Sequence, residues 1–260
     1  MLEVIDKGTA QPSHPVPLLF VHGAWHAAWC WDEHFLDFFA ARGYRAVAPS
    51  FRGHGNSPTP KRLRDCSFAD YLDDVVSVAR SLPTPPVLVG HSMGGVIVQK
   101  YLETTDAPAA VLMASMPPQG YLRSGLRWLR RHPVHFAKLT VTGRSLAYVS
   151  TPELARERFF CAHTPEPLVR RYAARLQEES ARSGLDGLVT LPKPDRVRAP
   201  LLVLGADEDG AVTRDEVAAT ARAYRTEPEF FAGMGHDMML EPGWRAVAER
   251  VDGWLGARGL

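Results

Sequence analysis

The sequence predicts an α/β protein with a mostly parallel sheet, helices on both faces and an inserted helical segment. From residue 17 onward, short apolar runs alternate with longer segments of helical spacing. This order is typical of parallel sheets, in which a helix returns the chain before the next strand. The alternation stops after residue 116 and resumes near residue 200. The intervening segment has no run typical of a buried strand and is too long for a plain loop, so a helical insertion is predicted.

The first half of the predicted sheet contains four strands and three helices. The capping-box pattern of Ser67 and Asp70 opens one of the helices, and Gly43 is a typical stop signal for another. The strands are predicted over residues 17–23, 45–51, 85–90 and 109–115, and the helices over residues 31–43, 68–82 and 93–105.

The second half continues the same alternation. Thr213 and Glu216 form a capping pattern that opens a helix between two further strands, and a last helix is predicted from about Glu241 to Leu255. The strands are predicted over residues 199–205 and 227–233. The predicted organisation is therefore a core of residues 1–116 and 200–260 and a helical cap of residues 117–199, with helix-like patches at 121–131 and 166–180.

Bulk properties exclude several classes of function. The chain has 260 residues, of which 45% are hydrophobic and 23% charged, as is ordinary for one large globular domain. A formal net charge of +1 gives no field that attracts nucleic acid. The sequence contains no glycine-rich nucleotide loop, no HExxH and no histidine set with metal-ligand spacing. It therefore predicts no cofactor and no metal, and a small molecule as the partner.

Cysteine usage and hydropathy indicate the compartment. Three widely spaced cysteines, Cys30, Cys66 and Cys161, form neither a disulfide framework nor a zinc motif, which suits a reducing environment. The N-terminal MLEVIDKG has no basic region followed by an apolar one, and no apolar run approaches the ~20 residues of a membrane span. The sequence predicts a cytoplasmic protein without integral membrane contact.

GHSMG at residues 90–94 matches the G-x-S-x-G pattern of a serine nucleophile. The pattern follows a predicted strand and precedes a predicted helix, where the serine must occupy a sharp, strained turn with its hydroxyl exposed. Side chains two residues to either side of Ser92 would collide with the flanking backbone, which explains Gly90 and Gly94. Gly95 is expected to allow close packing of the helix on the sheet. His91 is expected to support the turn.

A serine hydroxyl needs a base, and the base needs an acid. His236 follows the last predicted strand in a glycine-rich loop, and the acidic run of residues 207–209 follows the preceding strand. The order serine, acid, histidine is that of the nucleophile-elbow fold. Either Asp207 or Asp209 can be the acid on this reasoning, with Glu208 a weaker candidate. The other strand end available to an acid carries no carboxylate after Ala114.

Two backbone N–H groups are expected to bind the oxyanion that forms on the substrate. One belongs to Met93 at the start of the helix, and the other to Ala24 in the loop HGAWHAAW at residues 22–29. The ring of His22 is expected to be buried and to brace this loop. Trp25 and His26 of the same loop, and Trp128 of the cap, are predicted to line the substrate pocket.

Four motifs, VHGAW, RGHGNS, GHSMGG and GHDMMLEPGW, resemble those of the α/β-hydrolase superfamily over essentially the whole chain. HGAWHAAWCW is also similar to the corresponding loop of plant methylesterases and hydroxynitrile lyases. The resemblance implies a Ser-His-Asp triad, backbone oxyanion donors and a helical cap. It favours Asp209 as the acid, because this residue precedes the small apolar turn GAVT. One departure is Ser50, which stands where the family usually has an acid two residues before Arg52.

The beginning of the cap is rich in cationic residues. Leucines and Trp128 separate them, so they can form a solvated surface, a membrane-facing lid or a site for acidic substrate groups, and the first is favoured. These residues are Arg123, Arg127, Arg130, Arg131 and Lys138.

Together these features predict a serine hydrolase that cleaves a small or medium, uncharged and apolar carboxylic ester through an acyl-enzyme. Such an esterase or lipase-like enzyme can also accept lactones or thioesters. Two alternatives use the same fold. One is a non-hydrolytic enzyme of the hydroxynitrile lyase or cofactor-free oxidase type, and the other is a ligand-binding receptor with a silent triad.

Overall fold

The computed structural model describes residues 1–138 and 141–260. Within them lies one seven-stranded sheet with the strand order β1-β3-β2-β4-β5-β6-β7. Only β1 runs antiparallel to its neighbour, so the predicted fold class is confirmed. The strands are β1 (Val4–Lys7), β2 (Leu18–Val21), β3 (Ala46–Pro49), β4 (Val87–His91), β5 (Ala110–Met113), β6 (Leu201–Ala206) and β7 (Pro228–Phe231).

The edge strand β1 is the element that sequence reasoning missed. It reads VIDK, alternates between exposed and half-buried positions, and pairs antiparallel with β3. The other strands were expected because most of them are continuous apolar runs, buried along their whole length in β2 to β6. A half-exposed edge strand has no such run, and its pairing partner lies far along the chain.

The helices cover both faces of the sheet. They are α1 (Trp29–Asp32), α2 (Phe35–Ala40), α3 (Phe68–Ser81), α4 (Met93–Leu102), α5 (Leu122–Arg131), α6 (Pro133–Thr142), α7 (Pro152–Phe159), α8 (Glu166–Ala173), α9 (Ala181–Val189), α10 (Arg214–Ala223) and α11 (Trp244–Gly256). Both expected capping boxes form, that of Ser67 at α3 and that of Thr213 at α10.

Two helix predictions need correction. The helix expected over residues 31–43 is split into α1 and α2 at His34, whose ring stacks on Trp244 with centroids 4.6 Å apart. The last helix begins at Trp244 and not at Glu241. The Glu241 carboxylate is buried, and it accepts hydrogen bonds from the backbone N–H groups of Gly235 (2.9 Å) and Cys161 (2.6 Å).

Side-chain alternation along the strands builds two apolar layers. Leu18 and Phe20 of β2 pack with α1, α2 and α11 on one face, while Leu19 and Val21 pack with α3, α4 and α10 on the other. Successive side chains of a strand point to opposite faces, so a strand that is buried on both sides must be apolar throughout. The two layers hold the parallel strands with their carboxyl ends at one edge.

Residues 117–199 lie between β5 and β6 and contain α5 to α9. This segment is tied to the loops that follow the parallel strands. The N–H of Gln177 donates to the Trp25 carbonyl (3.0 Å), and the N–H of Gly55 donates to the Gln177 side chain (2.7 Å). The Tyr71 hydroxyl donates to Glu179 (2.7 Å). These contacts bring the segment next to the carboxyl edge of the sheet, where ligands bind in such folds.

Two further features concern the chain as a whole. Among the described residues, no helix has both the length and the apolarity needed to cross a bilayer. Cys30, Cys66 and Cys161 are buried free thiols.

Candidate active site

Ser92 occupies the sharp turn between β4 and α4. Its backbone angles are φ 52° and ψ −119°, a conformation that non-glycine residues rarely adopt and that is common at functional sites. The Ser92 carbonyl accepts hydrogen bonds from Gly95 (3.0 Å) and Met116 (3.2 Å), which hold the strained turn. The hydroxyl therefore stands at the N-terminus of α4, where the helix dipole favours negative charge.

Two glycines behind Ser92 allow close backbone contacts. A Cβ atom at Gly94 would lie 2.3 Å from the carbonyl oxygen of His22, which belongs to the loop after β2. A Cβ atom at Gly95 would lie 2.2 Å from the hydroxyl of Ser115, which follows β5. Both glycines let α4 approach the neighbouring strand ends, as the sequence predicts for Gly95.

His236 and Asp209 are in contact. The Nδ1 atom of His236 lies 2.8 Å from Oδ2 of Asp209, and each side chain is only 1% exposed. The other carboxylate oxygen of Asp209 accepts hydrogen bonds from the N–H groups of Ala211 and Val212, both at 2.7 Å. One oxygen thus anchors the acid to its own loop and the other faces the imidazole.

The two neighbouring acids have other partners. Asp207 forms an ion pair with Arg214, and Glu208 accepts a hydrogen bond from the N–H of Ala162 (3.2 Å). Of the three acids in the run, Asp209 is the one bonded to His236. Asp209 can contact His236 because β6 and β7 are paired in parallel, so the loops that follow these two strands meet at one edge of the sheet.

The face of His236 opposite Asp209 is free. Its Nε2 atom is buried and has no hydrogen-bond partner in the part of the chain that the structure describes. No hydrogen bond joins it to Ser92 among these residues. When Nδ1–H donates to Asp209, the lone pair of the neutral tautomer is on Nε2. The arrangement can accept a proton at Nε2 and return it.

His91 supports the loop that carries His236. Its Nε2–H donates to the carbonyl of His236 (3.0 Å), and the two rings are 4.7 Å apart. Burial, together with repulsion from His236, lowers the pKa of His91 to about 3. A neutral His91 fits the supporting role that the sequence predicts.

The loop after β2 packs directly on Ser92. A Cβ atom at Gly23 would lie 3.0 Å from Cβ of Ser92, so this loop approaches the serine closely. Trp25 adopts the left-handed conformation (φ 63°), which is rare for a bulky residue. Within the described residues, neither the Ala24 N–H nor the Met93 N–H donates a hydrogen bond.

His22 braces the same loop. Its Nδ1–H donates to the Gly23 carbonyl (2.8 Å), and its Nε2 accepts from the N–H of Phe51 (3.0 Å). Burial holds the pKa of His22 well below its usual value, so the ring is neutral. The structure confirms the expected buried, hydrogen-bonded ring.

A model of the alpha/beta hydrolase family matches residues 18–250. The chain belongs to this family. The resemblance seen in the sequence motifs is therefore confirmed.

Individual relatives of this alpha/beta hydrolase carry different names. The chain is 28% identical to a non-heme haloperoxidase of Rhodococcus erythropolis, over 85% of this chain and 86% of that protein. It is also 28% identical to the bifunctional esterase/perhydrolase DCH of Acinetobacter calcoaceticus, over 75% of each chain. A solved thermophilic esterase from Thermogutta terrifontis has a TM-score of 0.77 at 19% identity and covers 100% of this chain and 94% of its own. At that identity the likeness shows the fold alone.

Ser50, which stands where the family resemblance implies an acid, is hydrogen-bonded to Glu3. The Glu3 carboxylate accepts hydrogen bonds from the Ser50 hydroxyl (2.5 Å) and from the Asn56 side chain (2.5 Å) and N–H (3.2 Å). Ser50 in turn accepts from the N–H of Ala28 (3.0 Å). Arg52 pairs with Asp74 (2.7 Å). No local sequence pattern reveals Glu3, because it lies before the unpredicted strand β1.

The His26 side chain is buried and does not line an open pocket. It is 1% exposed, its Nδ1–H donates to the Ala24 carbonyl (2.8 Å), and its Nε2 lies 3.0 Å from Oδ2 of Asp237. Both ring nitrogens thus face oxygen acceptors, an arrangement that favours the positively charged imidazolium. Burial alone disfavours this charge, but Asp237 outweighs it and the pKa of His26 is raised. Sequence reasoning did not single out Asp237, the residue after His236.

A cavity of about 570 Å³ lies between the cap segment and the Asp209 loop. Of the predicted pocket residues, Trp128 lines it, whereas Trp25 and His26 do not. Ser92 and His236 are also outside its lining. Trp25 contacts the cavity indirectly, through the guanidinium of Arg158. The lining residues are Ser124, Arg127, Trp128, Arg130, Arg131, Glu157, Arg158, Asp209, Gly210 and Thr213.

Proposed function

We propose that this alpha/beta hydrolase is a serine hydrolase of carboxylic esters, with Ser92, His236 and Asp209 as its triad. The hydrogen bond of 2.8 Å between His236 Nδ1 and Asp209 Oδ2 carries this proposal. It leaves Nε2 as the proton acceptor, in a loop that His91 joins to the serine turn. A hydroxyl on a strained turn, a buried imidazole and a carboxylate form the arrangement that activates serine for acyl transfer.

The reaction follows from these positions. Ser92 Oγ attacks the acyl carbonyl while its proton passes to His236 Nε2. Asp209 holds the tautomer and stabilises the imidazolium. The Ala24 and Met93 N–H groups bind the oxyanion, each contributing about 3 kcal/mol in the transition state. The intermediate collapses, the alcohol leaves with the proton from His236, and a water activated by the same nitrogen hydrolyses the acyl-enzyme.

The substrate is proposed to be an ester of small or medium size with an apolar part. Phe159 supports this, because its ring packs against His236 (6.0 Å) and against Trp25 (6.0 Å) beside the proposed oxyanion loop. Lactones and thioesters share the same reaction path. The segment of residues 117–199 is proposed to act as the cap over this site.

Two of the relatives favour perhydrolysis as a second candidate. Their names contain haloperoxidase and perhydrolase. In this reaction hydrogen peroxide takes the place of water. One peroxide oxygen attacks the acyl-enzyme carbonyl, the bond to Ser92 Oγ breaks, and a peracid leaves while Ser92 regains its proton.

Fluorophosphonate labelling and turnover of a p-nitrophenyl ester panel test the proposal. The wild type is expected to be labelled and active, and Ser92→Ala is expected to lose both. Peracid formation in the presence of hydrogen peroxide separates the second candidate. A wild type that is neither labelled nor active contradicts the hydrolase and favours a receptor or a lyase on the same fold.

A further inference from the structure

Arg158 is a cation without a counter-ion. It lies near the end of α7, next to Phe159, and lines the cavity of about 570 Å³. In the described part of the chain, it makes neither a hydrogen bond nor an ion pair, and its Nε atom is buried without a partner. Two indole rings lie beside its guanidinium. The guanidinium carbon lies 5.0 Å from the ring centre of Trp25 and 4.9 Å from that of Trp128.

Arg158 is half-buried, and only its Nε atom is fully enclosed without a partner. A buried charge is normally paired, and a guanidinium offers five N–H donors. Two indole rings attract a cation through their faces, but they satisfy none of the in-plane donors. Burial lowers the pKa of Arg158 to about 10, while the charge of Asp209 acts in the opposite direction. The side chain therefore stays positively charged at neutral pH.

Two other arginines of the cavity, Arg127 and Arg131, are paired with carboxylates. Arg127 binds both oxygens of Glu216 (2.8 and 2.7 Å) and the Ala211 carbonyl (3.0 Å). Arg131 forms an ion pair with Glu157. Glu157 precedes Arg158 in the chain, yet it turns away toward Arg131. Arg130 also lines the cavity, but it is exposed to solvent, whereas Arg158 is half-buried between two indole rings.

Arg158 also adjoins the proposed catalytic residues. Asp209 lines the same cavity, Trp25 follows Ala24 in the proposed oxyanion loop, and Phe159 stacks near His236 at an interplanar angle of 27°. Ser92 and His236 do not line this cavity, so a molecule bound at Arg158 has to extend past Phe159 or Trp25 to reach the proposed ester site.

We propose that Arg158 binds a carboxylate on the substrate, so that the enzyme acts on esters which also carry a carboxylate, such as monoesters of dicarboxylic acids. The planar guanidinium matches a planar carboxylate, because two parallel N–H···O bonds can form. A cavity of this size accommodates a small molecule. The proposal rests on the proposed ester hydrolysis, and it replaces the uncharged ester expected from sequence with an anionic one.

A matched pair of esters tests the proposal. Mono-p-nitrophenyl suberate carries a free carboxylate, and its methyl ester is the uncharged counterpart. The corresponding pair of adipates has a shorter distance between the reacting ester and the carboxylate. The wild type is expected to prefer the anionic ester, chiefly through KM. Arg158→Gln is expected to reduce this preference by roughly 10- to 100-fold, the loss of one charge-assisted contact. Arg158→Lys is expected to retain part of it.

Arg170→Gln is the control, because Arg170 is an exposed arginine of α8 that pairs with Glu166. Arg170→Gln is expected to leave the hydrolysis rates of the anionic and the uncharged ester unchanged. A wild type without preference for the anionic ester overturns the proposal. Equal losses on both esters in Arg158→Gln overturn it too, since they assign Arg158 a structural role.

A binding measurement on an inactive variant tests the carboxylate site independently of the proposed ester hydrolysis. Calorimetric titration of Ser92→Ala with monomethyl suberate and with dimethyl suberate requires no turnover. Preferential binding of the monoacid, lost in Ser92→Ala/Arg158→Gln, supports the carboxylate site even if no ester is hydrolysed. Equal or absent binding of the two compounds overturns the site even if neutral esters are hydrolysed.

Discussion

The Nε2 atom of His26 lies 3.0 Å from the Oδ2 atom of Asp237, and both side chains are buried. His26 belongs to the loop after β2, and Asp237 follows the histidine in the loop after β7. The ion pair therefore links the loop of the proposed oxyanion donor Ala24 to the loop of the proposed base His236. Its position suggests that it holds these two loops together.

Asp237→Asn is expected to destabilise the protein by about 3 kcal/mol, because removing one partner of a buried ion pair leaves the other charge uncompensated. Urea unfolding followed by circular dichroism measures the loss. Asp195→Asn is the control, since Asp195 is exposed. An Asp237→Asn variant as stable as this control contradicts the assignment of a charged pair.

The same pair predicts how stability depends on pH. Burial opposes both charges, but each partner outweighs it, so the pKa of His26 is raised and the pKa of Asp237 is lowered. The raised His26 pKa contributes stability below its unfolded value of about 6.5, and this is lost as pH rises through the folded pKa. The lowered Asp237 pKa contributes stability above about 3.9, and this is lost as pH falls through the folded pKa.

The contribution of the pair is therefore expected to be largest between about pH 4 and pH 6.5 and to decline at higher pH. The measurement is the difference in unfolding free energy between wild type and His26→Gln, taken at intervals from pH 5 to pH 9. A difference that grows steadily toward pH 9 contradicts a protonated His26.

The choice of acid predicts a contrast between two neighbouring aspartates. Asp209→Asn is expected to lower kcat by about 10⁴-fold, because an amide at this position favours the wrong tautomer of His236. Asp207→Asn is expected to change kcat less than about threefold, since Asp207 pairs with the exposed Arg214 and exposed pairs contribute little. Steady-state turnover of p-nitrophenyl butyrate measures both. If only the change at 207 abolishes turnover, the acid is misassigned.

The elements around Ser92 are predictable from sequence because local pattern and sheet topology indicate the same arrangement. The strand, turn and helix around Ser92 were predicted because an apolar run, three glycines and a helical repeat lie next to each other. Parallel strand ends meet at one edge, so His236 and the acidic run of residues 207–209 were expected near Ser92. The order of the motifs left Asp207 and Asp209 open, and the family resemblance favoured Asp209, the acid that contacts His236.

The residues that escaped prediction act through contacts distant in the chain. Glu3 reaches Ser50 from the residue before the edge strand β1, and Asp237 reaches His26 from the loop after β7. Arg158 resembles every other arginine of the cap until its partners are compared. Pairing decides the role of such charged residues, and neither hydrophobic periodicity nor a short motif encodes pairing.

Glu3 supplies the last prediction. Because its carboxylate bonds to Ser50 and Asn56, Glu3→Ala leaves the buried Ser50 hydroxyl and the exposed Asn56 without this acceptor. The expected loss is about 2 kcal/mol in the free energy of unfolding. Glu3→Gln keeps an acceptor oxygen and is expected to lose less. The double variant Glu3→Ala/Ser50→Asp returns an acid to the loop and is expected to recover part of the loss. Thermal and urea unfolding of the three variants measure this order, and equal stability of Glu3→Ala and wild type contradicts the supporting role of Glu3.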